Sequence, residues 1–251
     1  MIPGLQTHFG ARIPLDELAY IYSKGIRLAR IDAQTCSHET MLELFGDCHT
    51  CDLAPLVIVG AQDYTRLAML PAGTMVEWTN EPDGDISPRA YRADLNTACQ
   101  MAERQGVELW APAISNLDED SLMWLNKVRD WGGGWPEGLA GISAHSYGPF
   151  PHKGFSSRER EVYWLKAACG DLPFMITEMG LASEGGVSEQ EQADFAREEW
   201  QFWTDQGAVA AVWFQIHDGP TETREHRYGW RRCAADGTLL GWKPVSESVP
   251  R

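Results

Sequence analysis

One feature limits the fold more than any other. A short apolar run followed by an amphipathic stretch recurs along the chain. The apolar runs are Gly4–Phe9, Arg27–Asp32, Leu56–Ala61, Thr74–Asn80, Glu108–Ile114, Gly141–His145, Pro173–Glu178 and Val209–Gln215, eight in all. Between them, Pro14–Ser23, Glu39–Cys51, Ser87–Gln105, Asp118–Trp131, Ser157–Ala168 and Ser188–Asp205 carry apolar residues at helical spacing. Short apolar runs alternating with helices read as strands buried on both faces of a parallel sheet. Cap chemistry agrees. Ser87-Pro88 is an N-cap followed by an N1 proline, and Ser188 with Glu191 forms a capping box. Gly25, Gly106 and Gly207 stand where helices should stop. Residues 62–73 hold a short helix at best, and the chain after the eighth run reads as a polar loop and a tail without periodicity.

Eight alternations within 251 residues, with no second compositional block, predict a single (β/α)8 barrel, one domain over residues 1–251. A doubly wound open sheet is the alternative. Thr7-His8-Phe9-Gly10 after the first run is neither a dinucleotide fingerprint nor a phosphate loop, which weighs against it. The net charge of −15 argues against a nucleic-acid or anionic-membrane partner. No run reaches the ~18 apolar residues of a membrane span. Met1-Ile2-Pro3-Gly4 lacks the basic and apolar stretches of a secretory signal. Localisation therefore stays open between cytoplasmic synthesis and action outside the cell or on a virion. A monomer is expected.

The six cysteines are spread along the chain, which suits reduced thiols. Cys36-Ser37-His38 with Cys48-His49-Thr50-Cys51 could hold zinc or a local disulfide, but a lone C-x-x-C is weak and ordinary thiols are the favoured reading. No metal or organic cofactor is expected. Asp118-Glu119-Asp120 reads as a helix N-terminus, where negative charge suits the dipole.

In a barrel, chemistry collects where strands end. The fourth run ends Asn80-Glu81-Pro82 and the seventh Thr177-Glu178-Met179-Gly180. A carboxylate directly after an apolar run is costly unless it is paired, hydrogen-bonded or used. Two of them suit glycoside hydrolysis with retention, in which one carboxyl attacks the anomeric carbon and the other, about 5–5.5 Å away, protonates the leaving oxygen. The 11 tryptophans add surfaces on which flat sugar faces stack.

Val76-Glu77-Trp78-Thr79-Asn80-Glu81-Pro82 resembles the fourth-strand signature of clan A glycoside hydrolases, and Ile176-Thr177-Glu178-Met179-Gly180 resembles the seventh-strand signature. The order and the strand count also match, and the flavour is closest to the cellulase-like and xylosidase-like families. The resemblance implies Glu81 as acid/base and Glu178 as nucleophile. It implies Asn80 on the sugar 2-hydroxyl, Arg30 and Tyr147 on Glu178, and His145 in the same wall. Trp213 would floor the subsite of the reacting sugar, and His8 would line it. The sequence departs from the pattern at Thr79, at Phe214 where tyrosine is frequent, and in the insertion Leu239–Trp242.

Plainer readings stand beside these. Glu81 could cap a turn with Pro82, and Glu178 could be a solvated strand end. Asn80 could form an Asx turn, and Arg30 could pair with Glu77 inside the barrel. His145 and Tyr147 could be a hydrogen-bonded core edge, and His8 merely satisfied. Trp110, Trp124, Trp164, Trp200 and Trp203 are expected in the core. The expectation is a retaining hydrolase of a β-linked glycan, preferably endo-acting. The rivals are a transglycosylase on the same barrel and a catalytically silent carbohydrate-binding barrel. A metal-dependent hydrolase is disfavoured because no His-x-His stands at the first strand end.

Overall fold

The computed structural model describes residues 1–7, 12–148, 150–183, 186–219, 227–234, 236 and 238–249. The strands are β1 (Ile2–Gln6), β2 (Leu28–Asp32), β3 (Ala54–Val59), β4 (Met75–Trp78), β5 (Glu108–Ile114), β6 (Leu139–Tyr147), β7 (Phe174–Gly180) and β8 (Ala210–Trp213). They follow one another in sequence order and close as a parallel barrel. The intervening helices are α1 (Leu15–Ser23), α2 (His38–Thr50), α3 (Tyr64–Met69), α4 (Pro82–Asp85), α5 (Pro88–Gln105), α6 (Glu119–Trp131), α7 (Arg158–Cys169) and α8 (Glu189–Asp205). The fold is a (β/α)8 barrel.

Local chemistry sets the boundaries. Ser87 accepts from Ala90 N–H ahead of α5, and Gly106 ends that helix at φ 72°, a left-handed conformation glycine adopts without a Cβ penalty. The Ser188 capping box opens α8. β1 begins earlier than its apolar run, because Ile2 N–H donates to the Val209 carbonyl and Pro3, lacking an N–H, still accepts from Arg27 N–H. Phe9, the expected end of that strand, lies outside the described residues.

Contacts divide the chain into two compact units, Met1–Pro55 with Glu178–Arg251, and Leu56–Thr177. In the first, Trp200, Trp213 and Trp230 are fully buried and pack together, their ring centroids 6.0 Å apart from Trp200 to each neighbour. The tail of this unit is not featureless. Arg231–Cys233 (β9) and Leu239–Trp242 (β10) form an antiparallel pair, followed by a 3-10 turn at Pro244–Glu247. The sequence hides the pair because its strands are short and only half-buried, so no two-residue alternation develops. Trp242 stacks on Tyr20 at 4.1 Å. Buried Lys243 donates to Asp218 (2.7 Å) and Ser183 Oγ (3.0 Å), fastening the tail to the chain after β7 and β8.

In the second unit, Trp78 Nε1 donates to Asp94 Oδ2 (2.7 Å) and Tyr91 donates to the Trp78 carbonyl (2.8 Å). Burial pushes the Tyr91 hydroxyl well above the usual tyrosine range, so it stays a donor. Trp110 and Trp124 are buried, as are Trp200 and Trp203 of the first unit, but Trp164 on α7 is 42% exposed. That departs from its expected place in the core.

The six cysteines are free thiols. Burial raises Cys48, Cys99 and Cys169 to about 12, which leaves them protonated and unreactive at neutral pH. Among the described residues, Cys36, His38, Cys48 and Cys51 do not gather into a metal-binding group.

Candidate active site

Each compact unit carries one of the two candidate carboxylates at the end of a barrel strand. In the first unit the register sets the arrangement. Gln6 of β1 lies beside Arg30 of β2, so both side chains leave the sheet on one face. Arg30 is fully buried. Its Nη1 donates to Gln6 Oε1 and, at 2.5 Å, to Glu178 Oε1 on β7. A buried guanidinium cannot release its proton, so it forms a permanent cation beside Glu178 and favours the ionised carboxylate. Arg30 therefore sits against Glu178, as the resemblance implied.

Removing Arg30 should be costly, because a buried carboxylate loses its cation. We expect Arg30→Met to lower unfolding stability by about 3–5 kcal/mol. A lower urea midpoint at unchanged slope would register it. Arg30→Met combined with Glu178→Gln should recover part of that loss, because the two changes act on one interaction. Strict additivity would disprove the coupling.

Trp213 is placed differently from its expected role as a sugar platform. It pairs in register with Leu5, whose side chain leaves the sheet on the face opposite to Gln6 and Arg30. It has no exposed surface, its ring lies against Trp200 and Phe195 of α8, and its Nε1 donates to the Tyr228 carbonyl (2.8 Å). No flat face is left for a sugar. Phe214, the next residue, is half-buried and edge-on to Tyr228 at 5.7 Å. Its peptide bond to Gln215 is cis. Strand alternation, applied one residue further, points to Phe214. His8 lies outside the described residues.

In the second unit, Glu81 follows β4 through an unusual turn. Thr79 (φ 68°) and Glu81 (φ 48°) are both left-handed. Such conformations cost about 1–3 kcal/mol each for residues with a Cβ, and they persist only where surroundings over-determine them. The surroundings here are specific. Thr79 N–H donates to the Val59 carbonyl (2.8 Å) and Glu81 N–H to the Ala113 carbonyl (2.9 Å), with Asn80 bridging Ala113 between them. Pro82 then opens α4. Asp83 accepts from Ser115 N–H (2.9 Å), Ser115 Oγ (2.8 Å) and Ser121 Oγ (2.7 Å). The turn is thus bolted to the end of β5 and the start of α6. In sequence Asp83 looks like an ordinary loop acid, and nothing there signals this role.

The turn leaves the Glu81 side chain 46% exposed, with Oε1 3.0 Å from Nδ1 of fully buried His145 on β6. The resemblance implies His145 in the wall around Glu178, and its Nδ1 is set against Glu81. Tyr147, two residues on, is half-buried and stands edge-on to His145 with ring centroids 6.4 Å apart. Its carbonyl lies 2.6 Å from His152 Nε2, and His152 Nδ1 lies 3.1 Å from fully buried Glu161. This support for Tyr147 has no signal in sequence, because His152 and Glu161 belong to a loop and to a helix rather than to a strand end.

No protein-family model matches the chain, and no curated protein matches it. Solved structures do. It is similar to a GH128 (subgroup II) endo-beta-1,3-glucanase from Pseudomonas viridiflava at TM-score 0.70 and 16% identity, covering 99% of this chain and 98% of that one. The GH128 (subgroup II) endo-beta-1,3-glucanase from Sorangium cellulosum gives 0.69 and 16%, covering 100% and 99%. A GH5-4 broad specificity endoglucanase from Clostridium acetobutylicum gives 0.68 and 11%, covering 95% and 89%. These are glycoside hydrolases of the clan whose strand-four and strand-seven motifs the sequence resembles. At these identities the likeness is one of fold.

Proposed function

We propose that the chain is a retaining, endo-acting glycoside hydrolase of a β-linked glucan, with Glu178 as nucleophile and Glu81 as acid/base. One observation carries this reading: the two strand-end carboxylates have partners of opposite kind. Glu178 is buried beside an arginine that never deprotonates, which suits a group that must stay ionised and attack. Glu81 is exposed beside a histidine that can change charge, which suits a group that gives up and recovers a proton.

In the first step, a Glu178 oxygen attacks the anomeric carbon. The glycosidic C–O bond breaks as Glu81 transfers its proton to the leaving oxygen. In the second, the Glu81 carboxylate takes a proton from water. That oxygen attacks the anomeric carbon, and Glu178 leaves with its electron pair. We assign Asn80 and Tyr147 to the sugar and Phe214, in place of Trp213, to its apolar face. The glucan-acting enzymes among the similar structures support the substrate class.

The test is proton NMR of products from a panel of β-1,3-, β-1,4- and mixed-linkage glucans. The β-anomer should appear first, in oligosaccharides of mixed length. First appearance of the α-anomer would mean inversion and remove the nucleophile role from Glu178. Products longer than the starting chain would move the reading to transglycosylation.

A further inference from the structure

Away from the strand ends, the second unit carries a groove of about 420 Å³ between α6 and α7. Its apolar lining is Leu122, Met123, Phe155 and Trp164, and Asn126 and Arg160 bring polar groups to it. Trp164 is 42% exposed and Met123 46%, and the neighbouring Tyr163, 68% exposed, stands perpendicular to Trp164. Nothing in the barrel's packing requires two large aromatic side chains in water on one turn of α7. A flat indole beside hydrogen-bonding groups is the surface a sugar ring needs, with its apolar C–H face on the ring and its hydroxyls at the rim.

The groove is built in advance. Gly154 adopts φ +95°, and a Cβ there would lie 2.5 Å from the Glu119 Cβ. Glu119 N–H donates to the Lys153 carbonyl (3.1 Å), so the chain after β6 is seated on the first turn of α6. A wall already in place loses little freedom when a ligand arrives. The groove shares one wall residue with a hollow beside the turn that carries Glu81. Met123 lines both the groove and this hollow of about 340 Å³, which includes Asp83, two residues after Glu81. Charge narrows the occupant. Glu119 and Arg160 offset each other in the groove, Asp83, Asp118 and Asp120 outnumber Lys127 in the adjoining hollow, and the chain carries −15 overall, so a neutral glycan is favoured over a polyanionic one.

We propose that this groove is a second glycan-binding site, which holds a neutral β-glucan chain on Trp164 apart from the catalytic carboxylates. The choice of ligand class rests on the proposed hydrolase function. The test is native-gel retardation in neutral β-1,3- and mixed-linkage glucan, with carboxymethyl-glucan as charged control. It is run in a Glu178→Gln background so that the polymer survives. Neutral glucan should retard the protein, and Trp164→Ala should raise the dissociation constant about tenfold, equivalent to about 1.4 kcal/mol. Trp164→Phe, which keeps a ring, should fall between them and guards against misfolding. Retardation equal in Trp164→Ala and its parent would overturn the proposal, as would no retardation of the parent by any neutral glucan. The proposal also fails if Trp164→Ala in the active protein slows cleavage of a trisaccharide as much as cleavage of the polymer. It fails likewise if Trp164 supports dimerisation in sedimentation and not glucan retardation. If no glucan is cleaved yet Trp164-dependent retardation persists, the catalytic reading fails and the groove stands.

Discussion

Glu178→Gln should lower kcat on glucan by at least about four orders of magnitude and leave glucan binding in place. Glutamine keeps the shape of the side chain but is neutral and does not attack an anomeric carbon. The loss should therefore fall on kcat and not on KM. Because Arg30 would then face an amide, stability should fall as well, and rates must be read on protein shown to be folded. A second variant makes the assignment positive. Glu178→Gly leaves space on the face of the sugar from which the nucleophile attacks. Azide entering there should restore turnover of an activated aryl β-glycoside and give the α-glycosyl azide in one displacement. A β-glycosyl azide from this variant would place the nucleophile elsewhere, and folded Glu178→Gln with near-normal kcat would end the mechanism proposed for this chain.

The barrel is legible in the sequence because each strand is a short, doubly buried run and each long helix carries its own cap, so the pattern repeats at every step. What the pattern hides follows from weaker local signals. β9 and β10 are too short and too exposed to show alternation. Trp213 looks available because a strand-end tryptophan suits a sugar, yet its register with Leu5 turns it toward α8. Trp164 misleads in the opposite direction, since a tryptophan on a helix suggests core and this one faces solvent. For the candidate site, residue types on strand ends point to Glu81, Glu178 and Arg30. The pairing of His145 with Glu81 is not legible, because it depends on how a left-handed turn at Thr79 and Glu81 aims the carboxylate. Nor is the latch of Asp83 onto Ser115 and Ser121, which joins residues 32 and 38 positions apart.

The turn that aims Glu81 also makes its role separable from that of Glu178. Glu81→Ala should reduce cleavage of unmodified glucan by about 10²- to 10⁴-fold, the usual share of general acid–base catalysis. The size of the loss should depend on the leaving group. An unactivated sugar oxygen leaves only when protonated, so the first step suffers fully. A dinitrophenolate leaves without a proton, so with that glycoside the first step should run at nearly the parental rate. Water attack in the second step still lacks its base, so the glycosyl-enzyme should accumulate and appear as a burst with a lowered KM. Azide needs no base and should relieve that step, giving the β-glycosyl azide. This is the opposite anomer to the one expected from Glu178→Gly. The limb of the pH–rate profile that reports the acid should vanish in Glu81→Ala. His145→Ala, which removes only the partner 3.0 Å away, should move that limb and keep part of the rate. Equal losses on glucan and on the dinitrophenyl glycoside would contradict the acid/base role, for they would mean that Glu81 holds the sugar rather than moving a proton.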